Sequence, residues 1–140
     1  MSNRKLALIV RDSDPLILTE TDTVREACRR MWERRVGAVL VVDASGRLSG
    51  IFTGRDAVRV LAEWRDPAPV LLGDAMTPEP DTIGPDLYAI DALRAMSDRG
   101  YRHLPVVTNG RIVGIVSRGE LQSLELEQLA EESCLWDCVA

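Results

Sequence analysis

A threonine and an aspartate three residues apart, Thr53 and Asp56, sit in the segment Gly50-Ile51-Phe52-Thr53-Gly54-Arg55-Asp56. The segment reads as a strand end, a tight turn and the first turn of a helix that continues through Ala57-Val58-Arg59-Val60-Leu61. A helix start leaves backbone N–H groups unpaired and carries partial positive charge. A hydroxyl and a carboxylate placed there face the same solvent pocket as those N–H groups, which suits a ligand with a phosphate and a diol. The same two residues also spell a capping box, in which Thr53 accepts from the N–H three residues on and Asp56 reaches back. Both readings are open on local grounds. His103 is the single histidine, so a Ser–His or Cys–His catalytic pair would have to use it. No Gly-x-Ser-x-Gly elbow accompanies it, which leaves a ligand contact or a plain strand-start residue. Cys28, Cys134 and Cys138 are odd in number and too few for a disulfide framework, and one histidine leaves no zinc quartet. Cys134 and Cys138 are spaced for one helical face, as a thiol pair or as two ordinary half-buried thiols.

Composition narrows the partners. A chain of 140 residues, 46% apolar and 28% charged, falls in the globular range and fits one compact unit. A net charge of -5 argues against nucleic acid or an anionic membrane, which need a basic surface to displace counterions. Anion binding must then be local. No apolar run is long enough to span a membrane, and after Met1-Ser2-Asn3-Arg4-Lys5 the stretch Leu6 to Val10 is too short for a signal-peptide core. The expected location is cytoplasmic.

The elements around these residues occur twice. Leu6 to Val10 is compatible with a short strand or a helix entrance. Leu16-Ile17-Leu18 reads as a brief strand, and Thr23-Val24-Arg25-Glu26 as a capping box. Val24, Ala27, Cys28 and Met31 then mark an amphipathic helix to about Arg35. Val39-Leu40-Val41-Val42 reads as a strand buried on both faces, and Asp43 to Arg47 turns the chain into Leu48 to Phe52. A linker follows from Glu63 to Pro69. Shifted by 65 residues, the helix positions fall on Ala89, Ala92, Leu93 and Met96, Val41-Val42 falls on Val106-Val107, and Asp14-Pro15 falls on Glu79-Pro80. After a one-residue loss in the hairpin turn, Gly50 to Thr53 falls on Gly114 to Ser117. A unit of this size is marginal alone, so the two should pack together about a near-twofold axis that leaves two related clefts.

These ordered pieces resemble a tandem pair of cystathionine-β-synthase (CBS) motifs, a Bateman module. The resemblance rests on Val36 to Asp43 with Gly50 to Asp56, and on Tyr101 to Val107 with Gly114 to Glu120. It implies an α+β (mixed α/β) fold of two β-α-β-β-α repeats with pseudo-twofold symmetry. Residues 1–140 would form a single stand-alone module: repeat one over about 8–64, repeat two over about 71–125, and a C-terminal helix or tail over 121–140. The implied function is non-catalytic and regulatory: binding of AMP, ATP or S-adenosylmethionine between the repeats, with no required cofactor or metal and with pairing into a homodimer. By resemblance Asp56 takes the ribose hydroxyls, Thr53 meets the first phosphate and Ile51 lies against the ligand. The base lies against Met76, Thr82, Tyr101, Arg102 and His103. Arg55, Arg102 and Arg118 are candidates for phosphate oxygens. The second cleft draws on Ile17, Val36, Gly37 and Ala38 with His103, Ser117 and Glu120. Glu120 departs from the family pattern by one methylene, so the Asp56 cleft is expected to bind better. Ser117-x-x-Glu120 is the better capping box by sequence, so the shorter acid at Asp56 favours a ligand role. Pro105 suggests an edge strand or a first strand position.

The tail carries Leu121, Leu124, Leu126 and Leu129 among glutamates, an acidic amphipathic helix that either completes the second core or, with Leu135-Trp136, meets a second subunit. Two rival classes remain beside the nucleotide reading. One is a ligand-independent dimerisation module docking on a partner protein. The other is an enzyme built on His103.

Overall fold

The computed structural model describes the backbone of residues 4–139 and the side chains of 4–127, 129 and 130. The elements run α1 Leu6–Val10, β1 Ile17–Thr19, α2 Val24–Arg34, β2 Ala38–Val42, β3 Leu48–Thr53 and α3 Gly54–Glu63. They continue α4 Leu72–Ala75, β4 Thr77–Pro78, α5 Ala89–Arg99, β5 His103–Thr108, β6 Arg111–Ser117 and α6 Arg118–Val139. Helix α2 starts where Thr23 Oγ1 accepts from Glu26 N at 3.1 Å. It stops at Arg35, whose left-handed φ of 55° lets its N–H close on the last carbonyls. Strand β2 lies between parallel β1 and antiparallel β3, which explains a β-branched run with both faces covered.

The two hairpins pair in the same register. Ala38 pairs with Thr53 as His103 pairs with Ser117, and Val41 pairs with Gly50 as Val106 pairs with Gly114. Each ladder slips at the same place, between Val41 and Val42 and between Val106 and Val107. The shorter second turn uses Asn109 (φ 51°) and Gly110 (φ 79°), the pairing that a two-residue type I′ hairpin requires. A mixed α/β fold of tandem repeats is therefore present, with two differences from the expected β-α-β-β-α pattern.

The first difference is that the lead-in strand of repeat two is reduced to a single parallel bridge, Ile83 with Val106. The cause is Pro105. In repeat one Leu40 N donates to Leu16 O at 2.9 Å, and 65 residues on the donor is Pro105, which has no N–H. Pro105 is buried within β5, an edge strand of the two-stranded sheet, where only Ile83 pairs on the side away from β6, so the edge reading of this proline holds.

The second difference is that each repeat takes a helix from the segment preceding the other. Leu72 and Ala75 of α4 join the core of repeat one, with Leu18, Met31, Val41 and Phe52. Leu6 and Val10 of α1, the run the sequence left undecided, join the core of repeat two with Ile83, Met96, Leu104 and Val116. The docking bonds match: Leu72 N to Asp22 O and Val24 N to Val70 O on one side, Leu6 N to Leu87 O and Ala89 N to Arg4 O on the other. Between the repeats, Ala38, Leu40 and Ile51 meet Leu48, Ile112 and Ile115. Helix α6 contributes Leu121 to the second core, while Leu126 and Leu129 are exposed. The closing helix and the expected tail are one continuous helix to Val139. The side chains of Cys134, Leu135, Trp136 and Cys138 lie outside the described residues.

The exchange requires close crossings. A Cβ on Gly114 would lie 2.6 Å from Val10 Cβ and 2.9 Å from Ser13 Oγ. Gly114→Ala is expected to cost about 1–3 kcal/mol because stiff Val10 on a docked helix has little room to move. Gly119→Ala, in the first turn of α6 with no atom within 4 Å of the added methyl, is expected to be neutral or mildly stabilising. Urea denaturation of the two variants beside the parent checks the contrast.

Candidate functional site

At the start of α3 the phosphate-and-diol pair is fixed by a complete capping box. Thr53 Oγ1 accepts from Asp56 N at 3.3 Å, and Asp56 Oδ2 accepts from Thr53 N at 2.9 Å and from Thr53 Oγ1 at 3.1 Å. Asp56 is the one buried charged residue among the described residues, 9% exposed. Its other oxygen, Oδ1, accepts from Thr77 Oγ1 at 3.1 Å and lies 3.5 Å from Arg59 Nη2. Arg59 in turn donates to Ala75 O at 2.5 Å. Thr77 and Arg59 were not anticipated. Arg59 was legible in principle as an i+3 partner of Asp56, whereas Thr77 is 21 residues away and arrives only because β4 pairs with β3 at Ile51.

This geometry corrects the ranking of the two capping boxes. Ser117 Oγ accepts from Glu120 N at 3.1 Å, but among the described residues Glu120 returns no bond to Ser117 N, and it is exposed. The shorter acid closes the box and the longer one turns outward, where partial desolvation raises its pKa. The aspartate at position 56 is therefore explained by capping as well as by a ligand, and the contrast with Glu120 carries no argument for either.

The remaining candidates gather unevenly. Ile51 is buried in the contact between repeats, and Met76 packs across Gly50, where a Cβ would meet its Sδ at 2.2 Å. Met76 directly precedes Thr77, whose hydroxyl meets Asp56. Arg55, Thr82 and Arg102 are exposed. Tyr101 donates through its hydroxyl to Asp81 Oδ2 at 2.9 Å, beside the Arg99 to Asp81 ion pair, and so pins the lead-in of repeat two to the end of α5. His103 lies across the repeat boundary: a Cβ on Gly37 would be 3.3 Å from His103 Cε1 and Nε2. Arg118 N donates to Arg102 O as Gly54 N donates to Gly37 O.

In the second cleft, His103 pairs with Ser117 and touches Gly37, which brings Gly37, His103 and Ser117 together. Ala38 is buried in the contact between repeats, and Ile17 is exposed on β1, paired with Leu40. Val36 and Gly37 also line an open groove of about 880 Å³ with Cys28, Met31, Trp32 and Gly54. This groove is not legible in the sequence, where Trp32 reads as one more residue of α2.

The sequence profile of the CBS domain matches residues 9–63 and again 72–127. The CBS domain-containing protein CBSCBSPB2 of Arabidopsis thaliana is 45% identical over 108 residues, 76% of this chain and 20% of that protein. The chain thus spans about a fifth of the length of that relative. The CBS-domain containing protein ATU1752 from Agrobacterium tumefaciens superposes with a TM-score of 0.80 at 28% identity, covering 89% of this chain and 99% of its own. CBSX2, solved in complex with AMP, superposes with a TM-score of 0.71 at 25% identity, covering 81% and 88% of the two chains.

Burial, and then the nearby Arg102 charge, hold the His103 imidazole below its ordinary value of 6.5. The unfolded chain therefore takes up this proton first as pH falls. Stability is fully present above 6.5 and is lost as pH drops through that value toward the depressed folded pKa. His103→Gln is expected to flatten the fall in unfolding free energy between about pH 7.5 and 5.5, measured by urea titration at each pH. Exposed Glu120 acts in the opposite direction and nearer its ordinary 4.5.

Proposed function

The chain belongs to the CBS-domain family, carrying the domain twice, and on that premise we propose that it is a regulatory, non-catalytic module binding an adenine nucleotide at the start of α3. The observation that carries the reading is Asp56: a buried carboxylate with Thr53 beside it on a helix start. In this reading Thr53 and the helix N–H groups receive the first phosphate and Asp56 receives the ribose diol. Met76, Thr82, Tyr101, Arg102 and His103 receive the base, and Arg55 and Arg118 serve outer phosphates. AMP, ATP and S-adenosylmethionine are the candidate ligands, and the AMP complex of CBSX2 supports AMP among them. The second cleft is the weaker, since exposed Glu120 stands in place of the buried aspartate.

The protein acts as a cytoplasmic energy or metabolite sensor. It signals by binding one conformation better than another, because a ligand shifts an equilibrium only by that difference. A homodimer completes it. Trp32 is 85% exposed, Leu61 70% and Val58 67%, an apolar load that a second subunit would cover. The net charge of -5 disfavours nucleic acid. No helix among the described residues is long and apolar enough to cross a membrane. One observation favours the rival reading of a ligand-independent interaction module: Asp56 already has protein partners on both oxygens.

Thermal melting against AMP, ATP and S-adenosylmethionine separates the two. A ligand at 100 times its dissociation constant adds about 2.7 kcal/mol. Asp56→Ala is expected to lower the unliganded baseline by about 1–3 kcal/mol, since Thr53 N–H and Arg59 lose their acceptor, and to abolish the shift above that baseline. No shift by any of the three at millimolar concentration leaves the interaction module standing.

A further inference from the structure

The helices of the two repeats are built on one plan and finished with opposite chemistry. In repeat one, Cys28 and Trp32 fall on one stripe of α2, and Gly54, Val58 and Leu61 on one stripe of α3. Cys28, Trp32 and Gly54 line the open groove, and Trp32, Val58 and Leu61 are exposed. The repeat shift carries those three onto Ser97, Gln122 and Glu125, also exposed. The fold therefore requires no apolar residue at any of these positions. Repeat two keeps its exposed apolar pair at Leu126 and Leu129 of α6, beside Glu125.

Charge divides the same way. Helices α2 and α3 carry six arginines against four acidic residues, whereas α5 and α6 carry three against eight. Among the described residues no ion pair reaches Arg25, seven residues before Trp32, or Arg35, three after it. None reaches Glu125 either.

We infer that the two copies of the homodimer pair unlike repeats: the α2–α3 face of each seats the α6 face of the other, Trp32, Val58 and Leu61 against Leu126 and Leu129, with Arg25 and Arg35 opposite Glu125. The inference rests on the homodimer proposed above and adds which surfaces meet. A twofold axis that makes one of these contacts makes its copy as well. Pairing like repeats would also set apolar residues together, but it would bring two acidic α6 faces against each other, and two arginine-rich α2 helices. Like charges facing across an interface are selected against. Apolar contact drives association in either arrangement, and charge chooses between them.

Analytical ultracentrifugation of the full chain tests the pairing. The parent dimer is expected to weaken as salt rises from about 0.05 to about 0.5 M, because screening removes attraction between unlike faces. Like faces would instead associate more tightly in salt. Arg25→Glu with Arg35→Glu, and separately Gln122→Arg with Glu125→Arg, are each expected to weaken the dimer about 10-fold or more, since every changed charge occurs twice in a twofold dimer. All four changes in one chain are expected to restore the parent affinity, which also shows that neither pair unfolds the protein. Mixed with the parent, that four-residue variant is expected to form no mixed dimers in native mass spectrometry. A parent dimer that tightens with salt, mixed dimers between the parent and the four-residue variant, or paired variants that associate as the parent does would each overturn the pairing of unlike repeats and leave the dimer standing. A parent that stays monomeric at every concentration overturns both, and the melting shift with AMP reports on the nucleotide reading independently of either result.

Discussion

Neither repeat closes its own core, and the architecture follows from that constraint. Two short hairpins with two helices each leave an open face, and a unit of about 60 residues buries too little surface to stand alone. Each repeat is completed by the segment that precedes the other, with Leu6 and Leu72 both fully buried in the partner core. The exchange ties the halves more firmly than the patch of Ala38, Leu40, Ile51, Ile112 and Ile115 would by itself. It also explains why Gly50 and Gly114 lack side chains, since a crossing chain passes over each.

The same exchange builds the cleft. Strand β4 exists because the chain leaving α4 must cross β3 on its way to repeat two, and the crossing sets Thr77 against Asp56. On the pseudo-symmetric side the crossing chain carries Val10 and Ser13 over Gly114, and no named strand forms there among the described residues. Backbone symmetry is therefore close while the chemistry of the two clefts is not. The differences lie at a few positions: Arg59 against Ser123, Asp56 against Glu120, and Leu40 against Pro105.

Much of this was legible because local periodicity carries it. Val24, Ala27 and Met31, with their copies Ala92 and Met96, announced helix faces that are indeed buried. The paired hairpins were readable from β-branched runs and turn residues alone. The exchange of lead-in helices was not, because a five-residue helix has no period to detect and its partners lie about 80 residues away in the chain. Thr77 and its contact with Asp56 were hidden for the same reason. The capping boxes were misjudged because motif statistics rank glutamate above aspartate at the third helical position. Here the extra methylene carries the Glu120 carboxylate outward, while the shorter Asp56 returns to Thr53 N. The shortened lead-in strand of repeat two could have been foreseen: Pro105 removes the one donor its partner strand would use.

Capping and binding need not compete at Asp56, because they use different parts of the same carboxylate. The bond from Thr53 N organises α3, whereas the bonds from the Thr53 and Thr77 hydroxyls come from side chains that can rotate to another acceptor. A buried carboxylate without partners would be costly in the empty protein, so a site that waits for a ligand needs internal stand-ins. Those stand-ins lower the net gain on binding, since each new hydrogen bond replaces an old one.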